Sequence, residues 1–191
     1  MANEFYALMG RMRYITRWAL MRNTYSENVL EHSHQVAVLA HGLALIRREI
    51  LRLPGPDPDK CAVAALFHDA SEILTGDMPT PIKYYNEEIK QAYKRVEEIA
   101  GNRLLDMLPE QLRRSYAPMV LESDEEVTPM VKAADKLAAH LKCIEEKKSG
   151  NTEFDTAAVQ TRAALVQLNQ PEVDWFLQEC LPAYLRNLDQ L

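Results

Sequence analysis

Residues 59–73 read Asp59-Lys60-Cys61-Ala62-Val63-Ala64-Ala65-Leu66-Phe67-His68-Asp69-Ala70-Ser71-Glu72-Ile73. From Cys61 to Phe67 there is no charged side chain. A helix through this stretch is apolar all round, which predicts a buried helix at the centre of a domain. Its end carries one imidazole and two carboxylates. Neighbours on a helix point about 100° apart, so His68 and Asp69 aim at one point only if that point lies close to the helix. A bound metal ion lies that close, and imidazole and carboxylate are good ligands for a divalent transition metal. Glu72 stands one turn from His68 and three residues from Asp69, on the same side. It is placed to reach a water on such an ion. Unpaired polar groups at the end of so apolar a segment are costly.

Two more residues complete a four-ligand set. His32 lies at the start of a predicted helix over 31–52, whose buried stripe is Val36, Leu39, Ala40, Leu43 and Ile46. Asp135 lies midway along a helix that starts near Ser123-Asp124-Glu125-Glu126 and stops at Ser149-Gly150-Asn151. Packing both helices on the apolar one brings His32, His68, Asp69 and Asp135 together, the usual way to build metal sites in helical domains. His34, His41 and His140 fall on other faces of their helices and read as surface or structural residues.

The remainder is also helical. Phe5, Leu8, Met9, Met12, Ile15 and Leu20 recur at helical spacing. Pro54-Gly55-Pro56-Asp57-Pro58 is a turn that no helix crosses. Thr75-Gly76-Asp77-Met78-Pro79-Thr80-Pro81 is a loop. Helices are expected over about 86–108, from Pro109, over 152–169 and over 172–189, with Pro129 and Pro182 as kinks. No β-alternation, repeat or linker interrupts the pattern. The expectation is one all-α domain over residues 1–191.

The chain has 191 residues, 47% hydrophobic and 26% charged, with a net charge of -6. That composition is globular, and the negative balance argues against binding a nucleic-acid polymer. Arg11, Arg13, Arg17 and Arg22 face only Glu4 among the first 25 residues, a basic patch suited to a small phosphate, of which Arg17 is the functional candidate. Three scattered cysteines without a CxxC fit a reduced cytoplasm. The N-terminus lacks a signal-peptide layout, and the longest apolar segment, about Val36 to Ile46, is too short to span a bilayer.

The order His32…His68-Asp69…Asp135 resembles the signature of the HD-domain metal-dependent phosphohydrolases. Arg17-Trp18, Met21-Arg22-Asn23, Glu27-Asn28-Val29, Glu31-His32-Ser33, His68-Asp69-Ala70-Ser71-Glu72 and Gly76-Asp77-Met78-Pro79-Thr80-Pro81 are similar to the bacterial HD-domain 5′-deoxynucleotidases of the YfbR type. The resemblance implies a helical HD-domain bundle that hydrolyses 2′-deoxyribonucleoside 5′-monophosphates and works as a cytoplasmic homodimer. It implies one divalent ion, cobalt by preference with manganese or copper as substitutes, on His32, His68, Asp69 and Asp135. Arg17 would clamp the phosphate, and Glu72 would act as general acid or base, or else support a histidine ligand. Trp18 would pack on the sugar and leave no room for a 2′-hydroxyl, while Asp77 would accept from the 3′-hydroxyl. The implied substrate-binding set is Arg17, Trp18, His32, Asp69, Asp77, Met78, Pro79, Thr80 and Asp135.

Alternatives stay open at this point. One is an HD phosphohydrolase acting on deoxynucleoside triphosphates, for which Lys83, Lys132 and Lys136 offer extra cations. A two-metal HD phosphodiesterase is disfavoured because no histidine lies between Asp69 and Asp135. Another is a non-catalytic metal-binding helical module, in which Glu72 would have no use. A third is an interaction protein using the amphipathic helices after residue 86.

Overall fold

A computed structural model describes residues 3–190; Met1, Ala2 and Leu191, which the domain expectation included, lie outside the described residues. The described chain is all-α. Its helices are α1 (Phe5–Met9), α2 (Val29–Leu45), α3 (Pro58–Ala65), α4 (Glu72–Thr75), α5 (Thr80–Lys83), α6 (Glu87–Asp106), α7 (Glu110–Val120), α8 (Thr128–Lys148), α9 (Asp155–Gln167), α10 (Pro171–Glu179) and α11 (Leu181–Tyr184). Among the described residues the β pairing is a single antiparallel bridge between Thr16 and Asn28.

α2 starts where its cap dictates. The Asn28 side chain accepts from the Glu31 N–H at 3.0 Å, and the Glu31 carboxylate accepts from the Asn28 N–H at 3.2 Å. This reciprocal capping box satisfies two orphan donors and sets His32 in the first turn. Val36, Leu39, Ala40, Leu43 and Ile46 are buried, as the stripe requires. α2 packs most extensively against α3 and α8, and their apolar faces, with α9 and α10, form the main core. A second cluster joins Phe5, Ala70, Leu104, Leu105, Leu108 and Val120. The segment carrying His68 and Asp69 runs from Ala65 in the first cluster to Ala70 in the second, so the site sits on their seam.

Several expectations need correction. The 59–73 helix is not continuous: α3 ends at Ala65, and residues 66–71 form tight turns before α4. The Ala65 carbonyl faces the His68 ring nitrogen Nδ1 at 2.7 Å, so it accepts from the ring where a continuing helix would offer it the Asp69 N–H. Phe67→Ala64, Ala70→Phe67 and Glu72→Asp69 bonds then tighten the path to the i→i−3 pattern. Nor is the segment buried all round. Cys61 and Ala65 are buried, but Val63 and Leu66 are exposed, because α3 lays only one side on α2. The first helix stops far short of Leu20: α1 gives way to a 3-10 turn over Gly10–Tyr14, and Ile15 is extended. α8 begins at Thr128, not near Ser123, so Pro129 sits in its first turn, where a missing N–H costs nothing and no kink follows.

Candidate metal centre

α2, the turn after α3 and the middle of α8 deliver His32, His68 and Asp135 to one point. One ligand atom from each lies within 4.8 Å of the other two. His32 Nε2 is 3.0 Å from Asp135 Oδ1, and His68 Nε2 is 4.0 Å from the same oxygen. Asp69 Oδ2 lies 3.1 Å from His68 Nε2 and 3.7 Å from His32 Nε2. It is also the acceptor for Arg17 NH1 at 3.2 Å. The tight cluster is thus His32, His68 and Asp135, with Asp69 touching both imidazoles from the Arg17 side.

The donor chemistry fits a divalent cation. A carbonyl only accepts, so the contact with Ala65 fixes the proton of the His68 ring on Nδ1. That leaves Nε2 to face the cluster, with Asp69 Oδ2 3.1 Å away, where the ring would present its lone pair once it gives up its second proton to a cation. Two imidazoles and one or two carboxylates suit the first-row transition metals. The electrostatics agree. Burial works against a charged His68, yet Asp69 and Asp135 lift its pKa to about 10. Burial likewise opposes ionisation of Asp135, but the His32 hydrogen bond and the two imidazoles bring it down to about 2. Asp69 is held far below the ordinary carboxylate range by His68, His32 and Arg17 against its own burial. Two ionised carboxylates facing two imidazoles make a place where a cation would be favoured.

Glu72 opens α4 beside this well. It is buried, and its Oε2 has no partner. Desolvation first, then Asp69 and Asp77, push its carboxyl up to about 9. Asp77 follows Gly76, whose φ of 74° and ψ of 164° lie in a region that essentially only glycine occupies. That turn aims Asp77 back so that the Trp18 backbone faces its carboxylate. Met78 and Pro79 follow, half-buried, and Thr80 opens α5 on the surface. Lys83 on α5 pairs with Glu97 at 2.7 Å, and the Tyr93 hydroxyl donates to the Gly76 carbonyl at 3.3 Å, so α6 fastens both ends of the loop.

Arg17 and Trp18 come from an irregular segment. The Arg17 N–H donates to the Glu27 carbonyl at 2.9 Å, and the Val29 N–H donates to the Ile15 carbonyl at 2.9 Å. Trp18 has a φ of 56°, a left-handed conformation that costs a non-glycine residue energy and clusters at functional sites. Its carbonyl accepts from Met21 and Asn23, and its ring lies 5.3 Å from that of buried Phe154.

The other histidines stand apart. His34 is exposed, His41 pairs with Asp59 at 3.4 Å, and buried His140 bonds Thr161 at 2.9 Å. Sequence reasoning missed two acids near the centre. Glu27 contacts Arg17, Trp18 and His32. Glu122, at a φ of 47°, pairs with Lys132 at 3.4 Å and is near enough to feel the charge of His68. The cavity of about 610 Å³ between the Pro54–Pro56 turn and Pro171 is remote from all of these, and its charged wall is an Arg47–Glu172 pair at 2.9 Å.

Comparison with known proteins places this geometry. A family model described as 5′-deoxynucleotidase YfbR-like matches residues 4–184. A 5′-deoxynucleotidase of Erwinia tasmaniensis is 47% identical over 192 residues, covering 99% of this chain and 96% of that one. The 5′-deoxynucleotidase YfbR of Shigella dysenteriae is 45% identical over 193 residues with the same coverage. Among solved structures, an HD-domain phosphohydrolase from Listeria innocua superposes with a TM-score of 0.79 at 21% identity, over 97% of this chain and 90% of that one. The cyanophage S-2L HD phosphohydrolase DatZ, bound to dA and one catalytic Zn2+ ion, gives a TM-score of 0.62 at 21% identity, over 93% and 96%. The fold is that of the HD-domain phosphohydrolases, and the chain belongs to the YfbR-like 5′-deoxynucleotidase family.

Proposed function

We propose that this protein is a metal-dependent 5′-deoxynucleotidase, hydrolysing 2′-deoxyribonucleoside 5′-monophosphates to deoxynucleoside and phosphate. The observation that carries the reading is the convergence of His32, His68 and Asp135 on one point, with Asp69 against both imidazoles and Arg17 bonded to Asp69. His32, His68, Asp69 and Asp135 hold the ion. When bound, a divalent ion supplies water activation and offsets phosphate charge. Cobalt is the first ion to try, with manganese and copper next.

The side chains supply the rest. Arg17, buried and tied to Asp69, presents its planar fork to the phosphate oxygens and stabilises charge as it builds there. Water attacks phosphorus, the P–O5′ bond breaks, and the departing 5′-oxygen needs a proton. Glu72, a buried carboxyl beside Asp69 without a partner of its own, is placed to hold the attacking water or to hand over that proton. Trp18 packs against the deoxyribose where a 2′-hydroxyl would stand, and Asp77 accepts from the 3′-hydroxyl. The Asp77 carboxylate facing the Trp18 backbone keeps these two residues side by side, which supports the assignment. Met78, Pro79 and Thr80 complete the substrate wall.

A triphosphatase reading loses two of its three extra cations, since Lys83 is engaged by Glu97 and Lys132 by Glu122, leaving Lys136 alone. A purely structural metal has no need of Glu72, a buried carboxyl without a partner beside it. We place the enzyme in the cytoplasm as a homodimer. Three unpaired cysteines fit that setting.

The test is phosphate release from dAMP, AMP, 3′-dAMP and dATP, each with cobalt, manganese, magnesium and zinc. Only dAMP should be hydrolysed at an appreciable rate. Equal rates on AMP would remove the sugar assignment of Trp18, and triphosphate release from dATP would move the protein to the other branch.

A further inference from the structure

Glu27 lies on the loop ahead of α2, and its position is set by backbone pairing. The Arg17 N–H donates to its carbonyl, and the Thr16–Asn28 bridge closes the register on either side. Its carboxylate is nearly buried, with a side-chain exposure of 12%. One oxygen, Oε2, accepts from the Trp18 indole N–H at 3.1 Å and lies 3.6 Å from Arg17 Nε. The other, Oε1, lies 3.5 Å from His32 Nδ1. Arg17 Nε and His32 Nδ1 are both buried nitrogens without a hydrogen-bond partner, and this one carboxylate faces both. His32 reaches the metal cluster through Nε2, so the proton of a ligating ring must sit on Nδ1, on the side of Glu27. A carboxylate in that place fixes the ring tautomer and raises the basicity of the ligand atom.

We propose that Glu27 is a positioning residue whose single carboxylate holds the sugar-facing indole of Trp18, the phosphate-facing guanidinium of Arg17 and the metal-facing imidazole of His32 in mutual register. Selection of the deoxy sugar and affinity for the ion are then linked through one side chain that touches neither. The carboxylate also anchors the Trp18 ring through the indole N–H.

The inference rests on the 5′-deoxynucleotidase reading, and two of its readouts do not depend on turnover. The experiment compares Glu27→Gln and Glu27→Ala with wild type. It measures cobalt affinity by chelator competition, the emission of Trp18 in a Trp175→Phe background, and kcat and KM on dAMP and AMP. Glutamine keeps an acceptor for the indole but no charge for His32. It should weaken cobalt binding roughly 10- to 100-fold and leave the Trp18 emission and the dAMP-to-AMP ratio near wild type. Alanine should weaken cobalt binding at least as much, red-shift the Trp18 emission and lower the dAMP-to-AMP ratio as well. If alanine does not fold, the glutamine variant alone decides through cobalt affinity. Wild-type cobalt affinity in Glu27→Gln overturns the proposal, and so does an alanine variant with unchanged emission and unchanged ratio. Absence of dAMP hydrolysis by wild type would overturn the function and leave the metal and fluorescence readouts to judge Glu27 on its own.

Discussion

The His68 ring donates its Nδ1 proton to the carbonyl of Ala65, three residues earlier, across 2.7 Å. This bond ends α3 and orients a ligand in the same stroke. Removing the imidazole should therefore affect both metal and backbone. His68→Ala is expected to lose cobalt binding by well over tenfold and to change hydrogen exchange at residues 66–71. Thorough chelation of the wild-type protein should abolish phosphate release, with recovery on adding cobalt. Full activity after chelation would contradict the metal assignment.

Glu72 is buried, lacks a partner on Oε2, and stands beside the cluster without belonging to it. Glu72→Gln should lower kcat on dAMP by about 10²- to 10⁴-fold, the usual worth of a general acid or base. Cobalt affinity should stay within about threefold, because no ligand is removed. A large loss of affinity with kcat intact would instead make Glu72 a support for the ion.

Gly76 has open space where a Cβ would stand, so any cost of a side chain there is conformational rather than steric. Its φ and ψ are in glycine's private region, and Gly76→Ala should cost about 1–3 kcal/mol of stability, the usual range for such strain. The loop would relax by turning Asp77 away. The expected signature is a raised KM for dAMP with cobalt affinity unchanged, measured by steady-state kinetics and chelator competition.

Glu146 on α8 accepts from the Thr24 N–H at 2.9 Å, the Tyr25 N–H at 3.1 Å and the Asn151 amide at 2.8 Å, and pairs with buried Lys142. Burial alone would raise its pKa, but these donors bring it down to about 2 from the ordinary 4.5. A lowered folded-state pKa stabilises the fold above the unfolded value, and that contribution drains away as pH falls from about 4.5 toward 2. At about 1.4 kcal/mol per unit, the ceiling is roughly 3 kcal/mol. Urea titrations of wild type and Glu146→Gln should differ by a constant amount at pH 5–7 and converge as the pH approaches 2. Curves that stay parallel through that window would show that the charge of Glu146 does not matter.

The convergence of the candidate ligands was legible because each sits on a strongly patterned helix or at its end: His32 after the Asn28–Glu31 box, His68 after the apolar run of α3, Asp135 on the long stripe of α8. The breaks were not. Nothing in the spacing of residues 59–73 says that a side chain will take a backbone carbonyl and stop the helix at Ala65. Glu27 was quoted only as part of a family motif, since an acid just before an N-cap reads as an ordinary partner of the helix dipole. Its contacts depend on a bridge between Thr16 and Asn28, a pairing across a loop with no periodicity to announce it. The left-handed Trp18 is equally silent, because tryptophan carries no compositional hint of that conformation.

Asp135 and Lys142 stand seven residues apart on α8, close to two full turns, so one stripe of a single rod serves both the candidate metal centre and the buttress behind Tyr25. Inserting one residue between them would swing one anchor about 100° away from the other while leaving the hydrophobic composition of the rod untouched. The spacing between those two positions is therefore as much a part of the design as the residues themselves, since it keeps both anchors on one side of the rod.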